Sequence, residues 1–344
     1  MTTTTQAKGG TIHVEAVRAL VAFAGLRGMS PVQLVEHFEL EAYPLNDLDT
    51  RLPVGVVGRL WVELPELLNA PDFGLELALA LERMPPPFAG RLVAASSTLG
   101  EGLARLQRFE RVLHDVETTR LEESEESVQI VFDTRGGVPL PRHTIEFAWA
   151  FWVLLGRRVT GASVNPERVT FTHPKPRDSA LHREVFGVEP EFGAADHRLV
   201  YSRADLALPC LAPDPALGEL LEHWASGQLR RLPPRAPFVA EVHRAVAREF
   251  ASGDISLSSV ASRMGLGERT LQRRLREHGL RFADVLDQVR RAIALERLAG
   301  PDASLAETAF ALGFSDQTSF HRAFVRWTGT SPGRYRQRLA GRSD

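Results

Sequence analysis

Residues 268–276 read ERTLQRRLR and place four arginines in nine positions. A guanidinium is a planar fork of N–H donors that fits a phosphate or the edge of guanine, and a glutamine amide can grip adenine in the same bidentate way. On a helix, Leu271 and Leu275 share one face, which leaves Arg269, Gln272, Arg273 and Arg276 for the others. The 344-residue chain has a formal charge of only −2, so this charge is local. From Ala240 onward 17 arginines stand against 12 acidic residues, a net of +5, and the remainder carries −7. A basic segment beside an acidic one points to a polyanionic partner for the basic one. Lysine occurs only at positions 8 and 175, so arginine richness by itself also fits compositional bias or a solvated helix face.

An internal repeat separates these readings. SLSSVASRMGL (256–266) matches SLAETAFALGF (304–314) at an offset of 48. Past the glycine the offset becomes 49, and Leu271, Arg273 and Leu275 pair with Phe320, Arg322 and Phe324. Each copy opens at a serine cap, and the second has capping-box spacing at Ser304 and Glu307. Each ends its first helix at a glycine, Gly265 or Gly313, and then begins a second helix. This is the grammar of the helix-turn-helix, whose second helix can enter the DNA major groove. In the second copy Phe320 and Phe324 take the inward face, leaving Gln317, His321 and Arg322 for DNA. Arg274 and Arg276 are suited to phosphates. Two such units on one face of DNA would set their recognition helices about 34 Å apart.

The elements that must hold these residues follow from cap and spacing. Phe282, Val285, Leu286, Val289 and Ile293 form a helical apolar stripe, stopped by Gly300-Pro301, so one long helix joins the two copies. Ser331-Pro332 starts a last helix, and nothing after residue 237 is strand-like. The proline-rich 229–237 stretch is a linker. Before it, residues 11–83 read as helices, with Ser30 capping a segment whose stripe is Leu34, Val35 and Phe38. MPPPF (84–88) is a break, and a helix is expected over 89–114, with Thr98 and Glu101 at capping-box spacing. Strands are expected over 116–121 and 128–132 about the acidic turn EESEE, then over 168–172 and 197–201. Helices are expected over 143–158 and from Asp214-Pro215.

Residues from about 238 to 338 resemble the DNA-binding domain of the AraC/XylS family of bacterial transcription regulators. The resemblance is carried by ISLSSVASRMGLGERTLQRRLREHG and LAETAFALGFSDQTSFHRAFVRWTGTSPGRYR. The second stretch holds the ordered pattern Gly-Phe, S-x-F-x-R-x-F, G-x-[ST]-P and Y-R. The stretch from about 20 to 210 is similar to the "arabinose-binding" effector domain of a subgroup of these regulators, on SSTLGEGLARLQRF, RVTFTHPKP and FGVEPEFGAADHRLVYSRADLALPCLAPDPAL. The resemblance implies an α+β N-terminal effector domain followed by an all-α DNA-binding domain with two helix-turn-helix motifs joined by a long helix. It assigns 11–229 to effector binding and dimerisation, 230–237 to the linker and 238–340 to DNA binding. It implies double-stranded promoter DNA, a small-molecule effector, RNA polymerase and a second copy of the chain as partners. Carried over residue by residue, the groove contacts are Arg269, Gln272 and Arg273 in the first unit, with Arg276 beside them for phosphate, then Gln317, His321 and Arg322 in the second.

The effector pocket has no comparable signal. Trp149 and Trp152, with Phe151, could cage a ligand or fill a core. His143 and Glu146 have the spacing of a metal pair but lack a third ligand, while His173 and His182 read as surface hydrogen-bonding residues. Cys210 is the only cysteine, which excludes an intrachain disulfide and a cysteine-based zinc site. No G-x-S-x-G, H-E-x-x-H or phosphate-loop motif occurs, so neither an enzyme nor a cofactor is expected. The longest apolar run, 147–155, is too short to span a bilayer. MTTTTQAKGG lacks the layout of an export signal and is expected to fray, so the chain is expected to work in the cytoplasm. Two alternatives stay open at this point: a regulator without an effector, whose N-terminal domain is structural, and an enzyme fused to a DNA-binding domain.

Overall fold

The computed structural model describes residues 10–114, 117–134, 140–232, 237–252, 255–277, 280–299, 304–328 and 330–340. Contacts divide the chain into two units, one drawn mainly from Gly9–Asp133 and Arg142–Pro233, the other mainly from Pro234 onward.

The first unit opens with β1 (Thr11–His13), α1 (Val14–Leu26), α2 (Pro31–His37), β2 (Arg51–Pro53), α3 (Val54–Leu67) and α4 (Phe73–Glu82). Next come α5 (Phe88–Ala94), α6 (Leu99–Leu113), β3 (Glu117–Glu123), β4 (Ser127–Thr134) and α7 (Arg142–Thr160). It closes with β5 (Arg168–Phe171), α8 (Ala180–Phe186), β6 (Glu191–Phe192), β7 (His197–Ser202), α9 (Arg203–Leu206) and α10 (Pro215–Arg231). Five strands form one sheet in the order β3-β4-β7-β5-β6, antiparallel except for the parallel β5–β6 pair. Its register sets Val128 opposite Tyr201 and Ile130 opposite Leu199, four buried side chains on strands joined over a long connection. β1 and β2 pair separately, with Ile12 opposite Leu52. Around them Val17, Leu20, Leu34, Phe38, Leu60 and Phe73 form a helical core.

Several expectations for this unit change. Residues 11–83 are not wholly helical, because β1 and β2 interrupt them; three-residue strands are too short to show a period. The helix expected over 89–114 is two helices. Thr98 accepts the backbone N–H of Glu101 at 3.2 Å, and Glu101 accepts that of Ser97 at 3.0 Å, so the cap starts α6 rather than lying inside a longer helix. Pro31 opens α2, yet Ser30 makes no side-chain cap. Asp214 does cap α10, accepting from the Leu217 amide at 2.9 Å. α10 runs to Arg231, two residues into the expected linker. The EESEE run spans the end of β3 and the hairpin tip, and arginines meet the two glutamates on the strand: Arg198 meets Glu122 at 2.9 Å and Arg203 meets Glu123 at 3.0 Å. The tail expected to fray, at 1–9, and Gly300-Pro301 lie outside the described residues. No described helix is long and apolar enough to cross a membrane.

From Pro237 onward every described secondary-structure element is a helix. α11 (Pro237–Ser252) precedes α12 (Leu257–Arg263) and α13 (Glu268–Glu277), and α14 (Phe282–Ala299) leads to α15 (Leu305–Ala311), α16 (Gln317–Thr328) and α17 (Pro332–Ala340). Val285 and Val289 of the α14 stripe are fully buried, with Phe282, Leu286 and Ile293 packed beside them. Ser331 accepts the backbone N–H of Arg334 at 3.2 Å and so caps α17.

Candidate DNA interface

The first helix pair is built from its turn outward. Ser256 and Ser259 form the reciprocal capping box at the start of α12, whereas at Ser304 the bond from the Glu307 amide is 3.4 Å long. The complete box is thus in the first copy, built by Ser256 and Ser259, and not at Ser304 and Glu307 where the spacing placed it. Gly265 adopts φ of +65° and the Leu266 amide reaches back to the Ala261 carbonyl at 2.9 Å, closing the helix. Leu271 and Leu275 of α13 are fully buried against Val260, Ala261, Val285 and Val289. Opposite them Arg269, Arg273 and Arg276 are exposed and Gln272 is half-buried. Positions 269, 272, 273 and 276 follow helical spacing, so they make one outward stripe. Arg273 rests against Glu277 at 2.5 Å, with both side chains more than half exposed. Such a pair is worth at most about 1 kcal/mol, so the guanidinium is held only weakly. Arg274 behaves differently: its guanidinium sits 4.0 Å from the Phe238 ring centroid and the residue is partly buried.

The second pair has the same plan with aromatic filling. Gly313 adopts φ of +70° and the Phe314 amide bonds the Ala309 carbonyl at 3.0 Å. Asp316 caps α16, accepting the Ser319 amide at 2.8 Å and its hydroxyl at 2.9 Å. These bonds hold its carboxyl below the usual range. Phe320 and Phe324 are fully buried and stand edge to face, 5.7 Å apart. Gln317, His321 and Arg322 are exposed on the other side, as is Thr318. Neither Asp316 nor Thr318 emerged from the sequence, because apolar spacing marks only the inward face; the D-x-x-S spacing was the available signal for the cap.

In the other unit, Trp149 is fully buried with its ring 5.4 Å from Phe132, and Trp152 is half-buried. Trp149 is therefore a core residue. A cleft bordered by Leu81, Pro86, Pro87, Phe151, Leu155 and Arg158 has room for about one water molecule. The polar residues of this unit converge elsewhere. Glu146 is fully buried; one oxygen accepts from Arg142 Nε and His182 Nε2, each at 2.7 Å, with His173 Nε2 at 3.7 Å. Its other oxygen lies 3.4 Å from His143 Nδ1. Arg142 also donates to the Pro71 carbonyl at 2.8 Å and to Asp72 at 3.2 Å. His173 and His182 are thus buried, not surface residues, and the partner of His182 is Glu146, 36 residues away. No three His, Cys, Asp or Glu residues converge on a metal position among the described residues.

Burial alone would raise the Glu146 carboxyl, but Arg142 with His143 and His182 outweighs it and holds the group well below its usual range. Burial lowers His173 from 6.5 to about 4, with Glu146 opposing, and lowers His197 to about 4, helped by His173. As pH falls, the unfolded chain takes up these protons first. Stability present above 6.5 therefore declines as pH falls from 6.5 toward 4, and Glu146 adds to the loss below 4.5. Thermal melts between about pH 7 and about pH 5 should show a falling Tm; a flat profile would clear both histidines of this role.

The arabinose-binding domain of AraC transcription regulators, N-terminal, matches residues 28–210, more than half of the chain, and a helix-turn-helix domain matches residues 260–338. The transcriptional regulator VirS of Mycobacterium tuberculosis is 27% identical over 320 residues, covering 90% of this chain and 91% of that protein. The ornithine utilization regulator of Pseudomonas aeruginosa is 27% identical over 333 residues, covering 95% and 96%. The crystal structure of the regulator CdpR from Pseudomonas aeruginosa aligns over 94% of this chain and 98% of its own, at 22% identity and a TM-score of 0.45. The chain belongs to the AraC family of DNA-binding transcription regulators, with an arabinose-binding-type domain ahead of its helix-turn-helix domain.

Proposed function

We propose that α13 and α16 lie in successive major grooves of promoter DNA, with Arg269, Gln272 and Arg273 serving the first groove, Arg276 its phosphates, and Gln317, His321 and Arg322 the second. The observation that carries this reading is the outward polar stripe of each helix, set opposite a fully buried pair, Leu271 and Leu275 or Phe320 and Phe324. Phosphate contacts supply the salt-dependent affinity and base-edge contacts select the site. Residues 11–229 sense a small molecule and pair two chains, 230–237 link, and 238–340 bind DNA. RNA polymerase is the further partner, the setting is the cytoplasm, and the chain acts as a regulator without catalysis.

Arg273→Ala should weaken binding to a selected operator by about 1–3 kcal/mol and relax base choice at one position. Titration against the operator and its single-base variants checks this; unchanged affinity and preference would strike Arg273 from the interface.

The full burial of Trp149, one of the two aromatic candidates for a ligand cage, leaves a second reading, in which the N-terminal unit is structural and no effector acts. A thermal-shift panel separates the two, with arabinose and ornithine included because the matched family and one relative are named for them. Stabilisation that rises with ligand concentration supports an effector, and none across the panel supports the structural reading.

A further inference from the structure

The turns of the two helix-turn-helix units have the same backbone but different surroundings. A methyl group at Gly265 would meet nothing within 4 Å. One at Gly313 would come within 3.0 Å of Ile255 Cδ1 and 3.5 Å of Arg290 Nη2. Arg290, half-buried on α14, donates from Nε to the Leu312 carbonyl at 2.9 Å and from Nη2 to the Gly313 carbonyl at 3.4 Å. Its guanidinium also lies 4.6 Å from the centroid of Phe314. The Phe314 ring in turn contacts Phe320 of α16, with centroids 5.7 Å apart. One planar cation therefore joins α14 to two carbonyls at the C-terminal end of α15 and to the aromatic core under α16. That end of a helix attracts positive charge, and a planar guanidinium can bond and stack at once where an ammonium cannot. Farther along, Arg326 of α16 meets Asp287 of α14 at 2.7 Å.

We infer that Arg290 is a positioning residue of the DNA interface: by clamping the second turn onto α14 it fixes where α16 stands relative to α13, and so restricts the protein to one spacing between the two contacted grooves. This rests on the reading that both helices enter grooves. A rigid pair of modules gains affinity only on DNA whose two sites match its span.

The test uses the full chain and a duplex it recovers from a randomised pool. Companion duplexes scramble the α16 half-site or insert one or two base pairs between the half-sites. R290A should lose about 10- to 100-fold in affinity for the intact duplex, tolerate the insertions better than wild type, and bind the scrambled duplex as wild type does. R290K, which can reach a carbonyl but cannot stack, should fall between. Wild-type affinity and spacing preference in R290A would overturn the proposal, as would equal losses on intact and scrambled duplexes. If R290A is recovered unfolded, R290K carries the same comparison with the same two failures. A double variant, H321A with R322A, guards the underlying reading. If it binds the intact duplex normally, α16 is not a groove element and both reading and proposal fall. If it is impaired while R290A is not, only the proposal falls.

Discussion

Gly74→Ala is expected to destabilise the N-terminal unit by about 3 kcal/mol or more, a drop of about 10 °C in Tm. Gly74 lies where α4 crosses α7. An added Cβ would press into the carbonyl oxygen of His143 and lie 3.0 Å from both the His143 carbonyl carbon and the Phe147 amide nitrogen. All three are backbone atoms of a helix, so no rotamer change relieves the clash. Alanine would gain about 1 kcal/mol in helix propensity, too little to offset prising two helices apart. Thermal unfolding followed by circular dichroism measures the result, and a wild-type Tm would mean that α4 and α7 slide apart freely.

Glu146→Ala is the second large effect, expected at about 3–5 kcal/mol. It would leave Arg142 with only Asp72 and the Pro71 carbonyl, and the buried His182 with no acceptor at Nε2. Glu146→Gln should cost less. The amide oxygen can still accept from Arg142 and His182, and its NH₂ can donate toward His143, whose Nδ1 lies 3.4 Å from the oxygen it replaces. Urea midpoints for the two variants rank them. Equal losses would mean that the charge, not the hydrogen bonds, does the stabilising.

The contrast between the two units shows what kind of information a sequence exposes. Leu271 and Leu275, or Phe320 and Phe324, stand four apart and face inward because helical geometry is local, and Gly265 and Gly313 mark turns because only the local backbone demands them. Arg269, Gln272, Arg273 and Arg276 followed by subtraction from that pattern. The Glu146 network was not legible in this way. His182 has Glu184 beside it in sequence, yet its carboxylate comes from a helix 36 residues earlier, and only the packing of α7 against α8 brings them together. Trp149 illustrates the same limit, since an aromatic run cannot say whether it fills a core or lines a ligand pocket. Arg290 was hidden for a related reason: its neighbours in the stripe of α14 point to burial, and its partners are carbonyls, which carry no sequence identity.

The unequal surroundings of Gly265 and Gly313 also bear on how a duplicated module ages. The first turn faces open space, so asparagine, which tolerates a left-handed backbone, has room there. The second is wedged between Ile255 and Arg290, where any side chain must displace a neighbour. The two halves are consequently not interchangeable parts: a side chain that the first turn has room for meets an occupied socket at the second.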